Sequence, residues 1–543
     1  MIKSRTRRAM AFLVAASLVA VACGGDDDTT APTDETAPAA DDAADQDDDS
    51  DATDDADDAP APAAGEIDRD ATLRLVYTVA PTSYDPHRGT SSTDNTSQNL
   101  VFDRLVHTTS SGDPIPGLAV DWSLENDPPA LNMTLREGVL FHDGTPFNAE
   151  AAKANLDRAI ADDSNVAVDL AAIDEIVVVD EYEIRLELNS PGGALPLILS
   201  DRGGMMLSPA SFDNPDLDRA PIGAGMYRLV SYEAGVRSVF ERFEDYWEPE
   251  AAAAARVELT YQADDDTRLN AVLDGQADWA NIAARQIPSA ENAGLNIFSD
   301  PDLAFYHMQI NIGRSEFGNP LVREALNYAV DREGMVEGIF QGLAEPNLQP
   351  FPRGYFAYDP ALEDYYTYDP DRARELLAEA GLEDGFSFEL LTANLDAFVR
   401  VSEALQAQLR EVGIDVELIV VPVNEVVNTA YVDKVGDAVM ITFQGRPDPS
   451  LTLGRIFAEG GPTSASGLST PMFMEAYGRM QAATDEETRV EAILDAVNSV
   501  VTEALDVILL NANANYVTRA DVVGFEPFVT AKPEFRGMGR TAG

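Results

Sequence analysis

The sequence predicts an α/β fold. Past residue 65, segments of helical spacing alternate with short strand-like segments. No fixed-period repeat underlies that alternation, and the stretch is long enough for two or three packed domains. A sheet largely covered by helices is therefore expected.

The elements follow in order. Lys3, Arg5, Arg7 and Arg8 precede an apolar stretch (9–22) that ends on small residues before Cys23, the one cysteine of the chain. Basic, apolar and small-residue regions in that order make an export signal. The apolar run is shorter than the ~20 residues a spanning helix needs. Residues 1–23 are thus expected to be a lipoprotein signal, with Cys23 carrying lipid. The mature protein would be exported and tied to the outer face of a membrane; Arg7-Arg8 leaves both the general and the twin-arginine exporters open. Cys23→Ser should release the protein or leave it unprocessed, read by membrane fractionation. A mature, membrane-bound mutant would refute the anchor.

Residues 24–65 are rich in Asp, Ala and Pro and contain no Leu, Ile, Val, aromatic or basic residue. Such a segment cannot bury enough apolar surface to order itself and is expected to be an extended linker. The formal net charge of the chain is −58. A basic footprint for nucleic acid is missing, and without further cysteines neither disulfides nor thiolate chemistry are available.

In the body, 71–79 alternates as a strand, and 174–189 reads as a hairpin broken at Asp180-Glu181. Residues 319–340 read as helix from the spacing of Leu321, Ala325, Leu326, Ala329, Val330 and Met335. A second helix follows Asp369 as N-cap and Pro370 at its first position, and stops before Gly381. Further helices are expected over 398–412 and 485–504, with strands at 414–421, 437–443 and 507–512. No G-x-S-x-G elbow, H-E-x-x-H motif or phosphate loop occurs. His87, His107, His142 and His307 show no metal-ligand spacing. No catalytic residue, metal or cofactor is expected.

Five blocks in order carry a family resemblance. They are 100–150, with Pro116-Gly117-Leu118-Ala119, Trp122 and FHDG (141–144); IGAGMYRLVSYEAG with FEDYW; LNAVLDGQADWA (269–280); 319–346; and YDPDRARELLAEAG (368–381). Together they resemble the large solute-binding proteins of ABC importers, in the oligopeptide, dipeptide and nickel class. The resemblance implies a two-lobed periplasmic-binding-protein fold of type II, with a small inserted α+β domain and a hinge. Lobe I would comprise 66–105, 216–301 and 512–543, the inserted domain 106–215, and the other lobe 302–511. Exposed crossing strands near 303–312 and 509–515 would form the hinge.

The resemblance also implies function. A monomeric receptor would capture an oligopeptide or peptide-like solute by closure and deliver it to permease and ATPase subunits. Three loops are candidates for ligand contact: Thr90, Ser91, Ser92 and Thr93 after the first strand; Asn394; and Gln444, Gly445, Arg446 and Asp448. Peptide-binding members carry an Asp near Gly445-Arg446 for the terminal ammonium. An Arg suits a carboxylate or a hydroxyl-rich group instead, which keeps an opine, an oligosaccharide or a nickel chelate as the alternative. An Arg446–Asp448 pair is the structural alternative, Asp278 is expected at a helix end, and a surface sensor or chaperone is the other reading of the same fold.

Overall fold

The computed structural model describes residues 66–542 apart from 315, 423 and 424. The signal, Cys23 and the whole of the acidic linker lie outside them. The principal strands are β1 (Thr72–Tyr77), β2 (Ala119–Asn126), β3 (Pro129–Leu135), β4 (Ile173–Asp180), β5 (Glu183–Leu188), β6 (Tyr227–Glu233), β7 (Arg237–Arg242), β8 (Arg256–Tyr261), β9 (Trp279–Asn281), β10 (Asn296–Ile310), β11 (Ala344–Pro346), β12 (Phe386–Ala393), β13 (Ile414–Val421), β14 (Ala438–Gln444) and β15 (Val507–Thr518).

One mixed sheet spans both lobes in the order β13-β12-β14-β10-β15-β9-β1-β8-β7-β6, with β11 on β15. Lobe I gathers its core around Leu75, Phe102, Phe240 and Trp279. The other lobe packs one core around Leu326, Leu390 and Leu405 and a second around Phe305, Phe473 and Ile493. Between residues 105 and 224 a separate core forms on the antiparallel sheet β2-β3-β5-β4. This is the two-lobed α/β fold with an inserted domain.

Local rules place the elements. The helix Pro370–Glu379 begins where the Asp369 side chain accepts from Arg372 N, and the chain leaves it through Gly381 at φ +77°. The helical reading of 319–340 is corrected: it is two helices, Pro320–Tyr328 and Arg332–Phe340. Asp331 breaks it, because its carboxylate accepts from Gly334 N and starts a new helix. The buried Arg332 then donates to the Ile508 carbonyl and anchors the second helix to β15.

The crossing strands are corrected too. β10 and β15 join the lobes, pairing from Asn296↔Thr518 to Met308↔Val507, and their register slips between Pro301 and Phe305. They lie in the middle of the sheet and most of their residues are buried, not exposed. Polar and apolar residues alternate there because Asn511, Asn513 and Asn515 bond across the crossing, to Asp302 O, Ser299 O and Ser299 Oγ.

Candidate functional site between the lobes

Strand direction locates the site. β15 runs from the second lobe into lobe I. β9 is antiparallel to it and β1 is parallel to β9, so both strands of lobe I end facing the second lobe. β14 is antiparallel to β10 and parallel to β12, so β14 and β12 end facing lobe I. The loops 78–91, 281–286, 394–396 and 445–448 therefore look at one another across the crossing. Carboxyl ends of strands are where open α/β sheets take ligands.

On the lobe I side, the loop is tied by its own polar groups. Asp94 accepts from Thr82 N at 2.7 Å and Thr82 Oγ1 at 2.6 Å, and Thr90 N donates to Thr82 Oγ1. Ser91 and Thr93 bond through their hydroxyls at 2.7 Å. Ser92 opens the short turn Ser92–Asp94. The loop ends at helix α1, which starts at Asn95 (Asn95–Val101). Asn95 Nδ2 donates to Asp201 of the inserted domain at 2.6 Å, and Arg202 Nη1 donates to the Gly89 carbonyl at 2.7 Å.

On the other side, Gly445 N donates to the Leu303 carbonyl of β10 at 3.0 Å. A Cβ at Gly445 would stand 2.5 Å from that oxygen, so only Gly fits so close to the crossing strand. Arg446 lines a tight cavity of about 40 Å³ with Asp169, Asp201 and Arg202 of the inserted domain and Lys532 of the C-terminal segment. Among the described residues its guanidinium has no carboxylate partner. Arg455 is held below the usual arginine range, first by burial and then by the Arg446 charge, while Asp169 acts the other way. Lys532 bonds Asp201 at 2.5 Å; against the cost of burial, that ammonium holds the Asp201 carboxyl well below its ordinary range.

Asp448 borders the same cavity, but its carboxylate is committed to the protein. Its residue is fully buried, both carboxylate oxygens accept from Arg489 Nη2 at 2.8 and 2.7 Å, and one accepts from Ser450 N to cap the helix Pro449–Ile456. The Arg446–Asp448 pair does not form, because Arg489 takes its place. Asn394 and Gln444 are exposed at the ends of β12 and β14, outside the cavity beside Arg446. Asp278 is buried and bound by Arg74, a structural place at the end of its turn.

The histidines are structural. His87 is pushed down to about 3 by burial and by Arg158. His142 is pushed down to about 4 by burial, and its Nε2 lies 2.9 Å from the Gly225 carbonyl. No cluster of His, Cys, Asp or Glu that could hold a metal, and no helix long and apolar enough to cross a membrane, occurs among the described residues.

Sequence reasoning missed a set of buried polar groups on both lobes. Asn95 Oδ1 and both side-chain atoms of Asn99 on α1, Asn281 Oδ1 at the end of β9, Thr392 Oγ1 at the end of β12 and Asn513 Oδ1 on β15 are sealed from solvent with no protein partner. Native interiors rarely leave such groups unmet. The polar run Asn95-Thr96-Ser97-Gln98-Asn99, leading straight into Leu100-Val101-Phe102, was the available signal.

The family model for bacterial extracellular solute-binding proteins, family 5 Middle, matches residues 113–464. The glutathione-binding protein GsiB of Pectobacterium atrosepticum is 30% identical over 360 residues, 64% of this chain and 69% of that protein. GsiB of Salmonella typhi is 33% identical over 307 residues, 55% of this chain, and the chain spans only 59% of its length. HbpA2 from Haemophilus parasuis has the same fold, with a TM-score of 0.80 at 21% identity over 87% of this chain and 100% of that one. Family match and strand-end geometry agree, and the chain belongs to the bacterial extracellular solute-binding proteins, family 5, which bind rather than transform their solutes.

Proposed function

We propose that this chain is the lipid-anchored receptor of an ABC importer, taking a small peptide or peptide-like solute between its lobes. In this reading Cys23 holds the protein, acting as a monomer, beside its permease and ATPase subunits. The linker gives it reach, and the lobes divide as the sequence suggests, swinging on β10 and β15. The observation that carries the reading is the set of buried, unpartnered amides and hydroxyls on both lobes. Each would be costly if left unmet, and a guest with its own donors and acceptors meets them. The relatives whose names state glutathione support a peptide-like guest. Arg446, with Arg455 close behind it, supports a guest carrying a carboxylate. Thr90, Ser91, Ser92, Thr93, Asn394, Gln444 and Gly445 are proposed as the surrounding rim, with Asp448 holding the Arg446 loop in place.

Thermal denaturation of the mature chain against glutathione, short peptides, opines, oligosaccharides and a nickel–histidine complex tests the reading. One class should raise the melting temperature without being consumed, by an amount equal to ~2.7 kcal/mol at a hundred times Kd. No shift across the panel, or turnover of the solute, would overturn it. Arg446→Ala should weaken an acidic guest at least about tenfold with the melting temperature of the free protein unchanged. Equal affinity would remove Arg446 from the site.

A further inference from the structure

We infer that Asp302 is the counter-charge for a cationic amine on the guest, so that this receptor selects solutes bearing a free ammonium group. The inference rests on the solute-binding reading above.

Asp302 sits in β10 where the pairing with β15 slips, between Pro301↔Asn513 and Phe305↔Asn511. That is the crossing itself, the place where both sets of strand ends converge. The residue is 8% exposed. Ala304 N donates to Oδ1 at 2.6 Å, and among the described residues Oδ2 receives no donor. No Arg, Lys or His side chain among them pairs with the carboxylate. Burial accordingly pushes its carboxyl up to about 7, offset only by the Ala304 amide.

Two aromatic side chains share its field. Burial and then the Asp302 charge raise the Tyr306 phenol, and Asp302 also helps raise the Tyr516 phenol. Tyr306 belongs to the second lobe, in edge contact with Phe340 and Phe398; Tyr516 belongs to lobe I, stacked 5.5 Å from Trp279. An unpaired carboxylate in that setting favours an ammonium through its charge.

The charge itself needs this explanation. The bond from Ala304 N would form equally well to an Asn or Ser at 302, so the fold does not require an anion there. A buried carboxylate without a partner is costly, and the structure supplies no internal cation. With Arg446 in the turn after β14, beside the same crossing strand, the guest is a zwitterion with its amine at Asp302.

The test is calorimetric titration of glutathione and triglycine, each with a free amine and N-acetylated, into the mature wild-type chain and Asp302→Asn. At least one free-amine form should bind wild type at least about tenfold tighter than its N-acetyl form. Asp302→Asn should shrink that ratio to within about twofold without weakening the N-acetyl form. Equal binding of both forms to wild type, or full discrimination retained in Asp302→Asn, overturns this inference alone. No binding by any of the four overturns the peptide-like reading and this inference with it.

Discussion

Asp302→Asn is expected to stabilise the unliganded protein at pH 8 and to change little near pH 4. The folded carboxyl is raised to about 7, against about 3.9 in an unfolded chain. Below about pH 4 the group is protonated in both states and carries no penalty. As pH rises toward 7 the unfolded chain gives up its proton first, so folding loses stability over that window. Above pH 7 the whole penalty is present, at most ~4 kcal/mol for a difference of about three pKa units. Asparagine keeps the acceptor for Ala304 N and removes the charge. Denaturant melts of wild type and mutant at pH 4.5 and pH 8 measure the difference, and equal stability at pH 8 would mean that something pairs with Asp302. Because the same carboxylate is proposed to hold the guest, the gain in stability should be matched by lost affinity for amines, a trade common at binding sites.

Arg489→Met should cost the protein ~3–5 kcal/mol, the range for breaking a buried ion pair from one side. The Arg489 side chain is 11% exposed and that of Asp448 fully buried, so the orphaned carboxylate has no solvent to turn to. The consequence reaches the site, since Asp448 caps the helix that follows and fixes the turn carrying Arg446. Affinity for an acidic guest should fall together with stability. Combining Asp448→Asn with Arg489→Met removes both charges and should recover most of the stability in a urea melt. A double mutant no better than Arg489→Met would show that the arginine acts through packing, for instance against Gly193, where an added Cβ would lie 2.9 Å from Arg489 Nε.

Local chemistry was readable in the sequence and distant pairing was not. Asp369, Pro370 and Gly381 declare their helix because cap, first turn and exit lie within a few residues of one another. The interruption at Asp331 escaped because the apolar spacing runs on almost without a break through Ala329 and Val330. Period-two alternation in β10 and β15 read as exposure, yet an interior crossing strand can alternate as well when its polar residues bond to its neighbour, as Asn511, Asn513 and Asn515 do. Asp448 and Arg446 were found as a pair of candidates, but only the fold brings Arg489 to one of them and leaves the other unpaired. The link from Asp201 to Lys532 joins residues 331 apart in the chain, a distance no local pattern encodes. Asp302 looks like any other acid in a chain this acidic until its surroundings are known.

Closure of the lobes on a guest is read by hydrogen–deuterium exchange of the mature protein, with and without the first solute that raises its melting temperature. Bound solute should add protection in residues 78–99, 281–286, 392–396 and 444–448 and along both crossing strands, with little change in the outer strands β6 and β7. Protection concentrated on an outer face of either lobe, with the strand ends and the crossing unaffected, would contradict it.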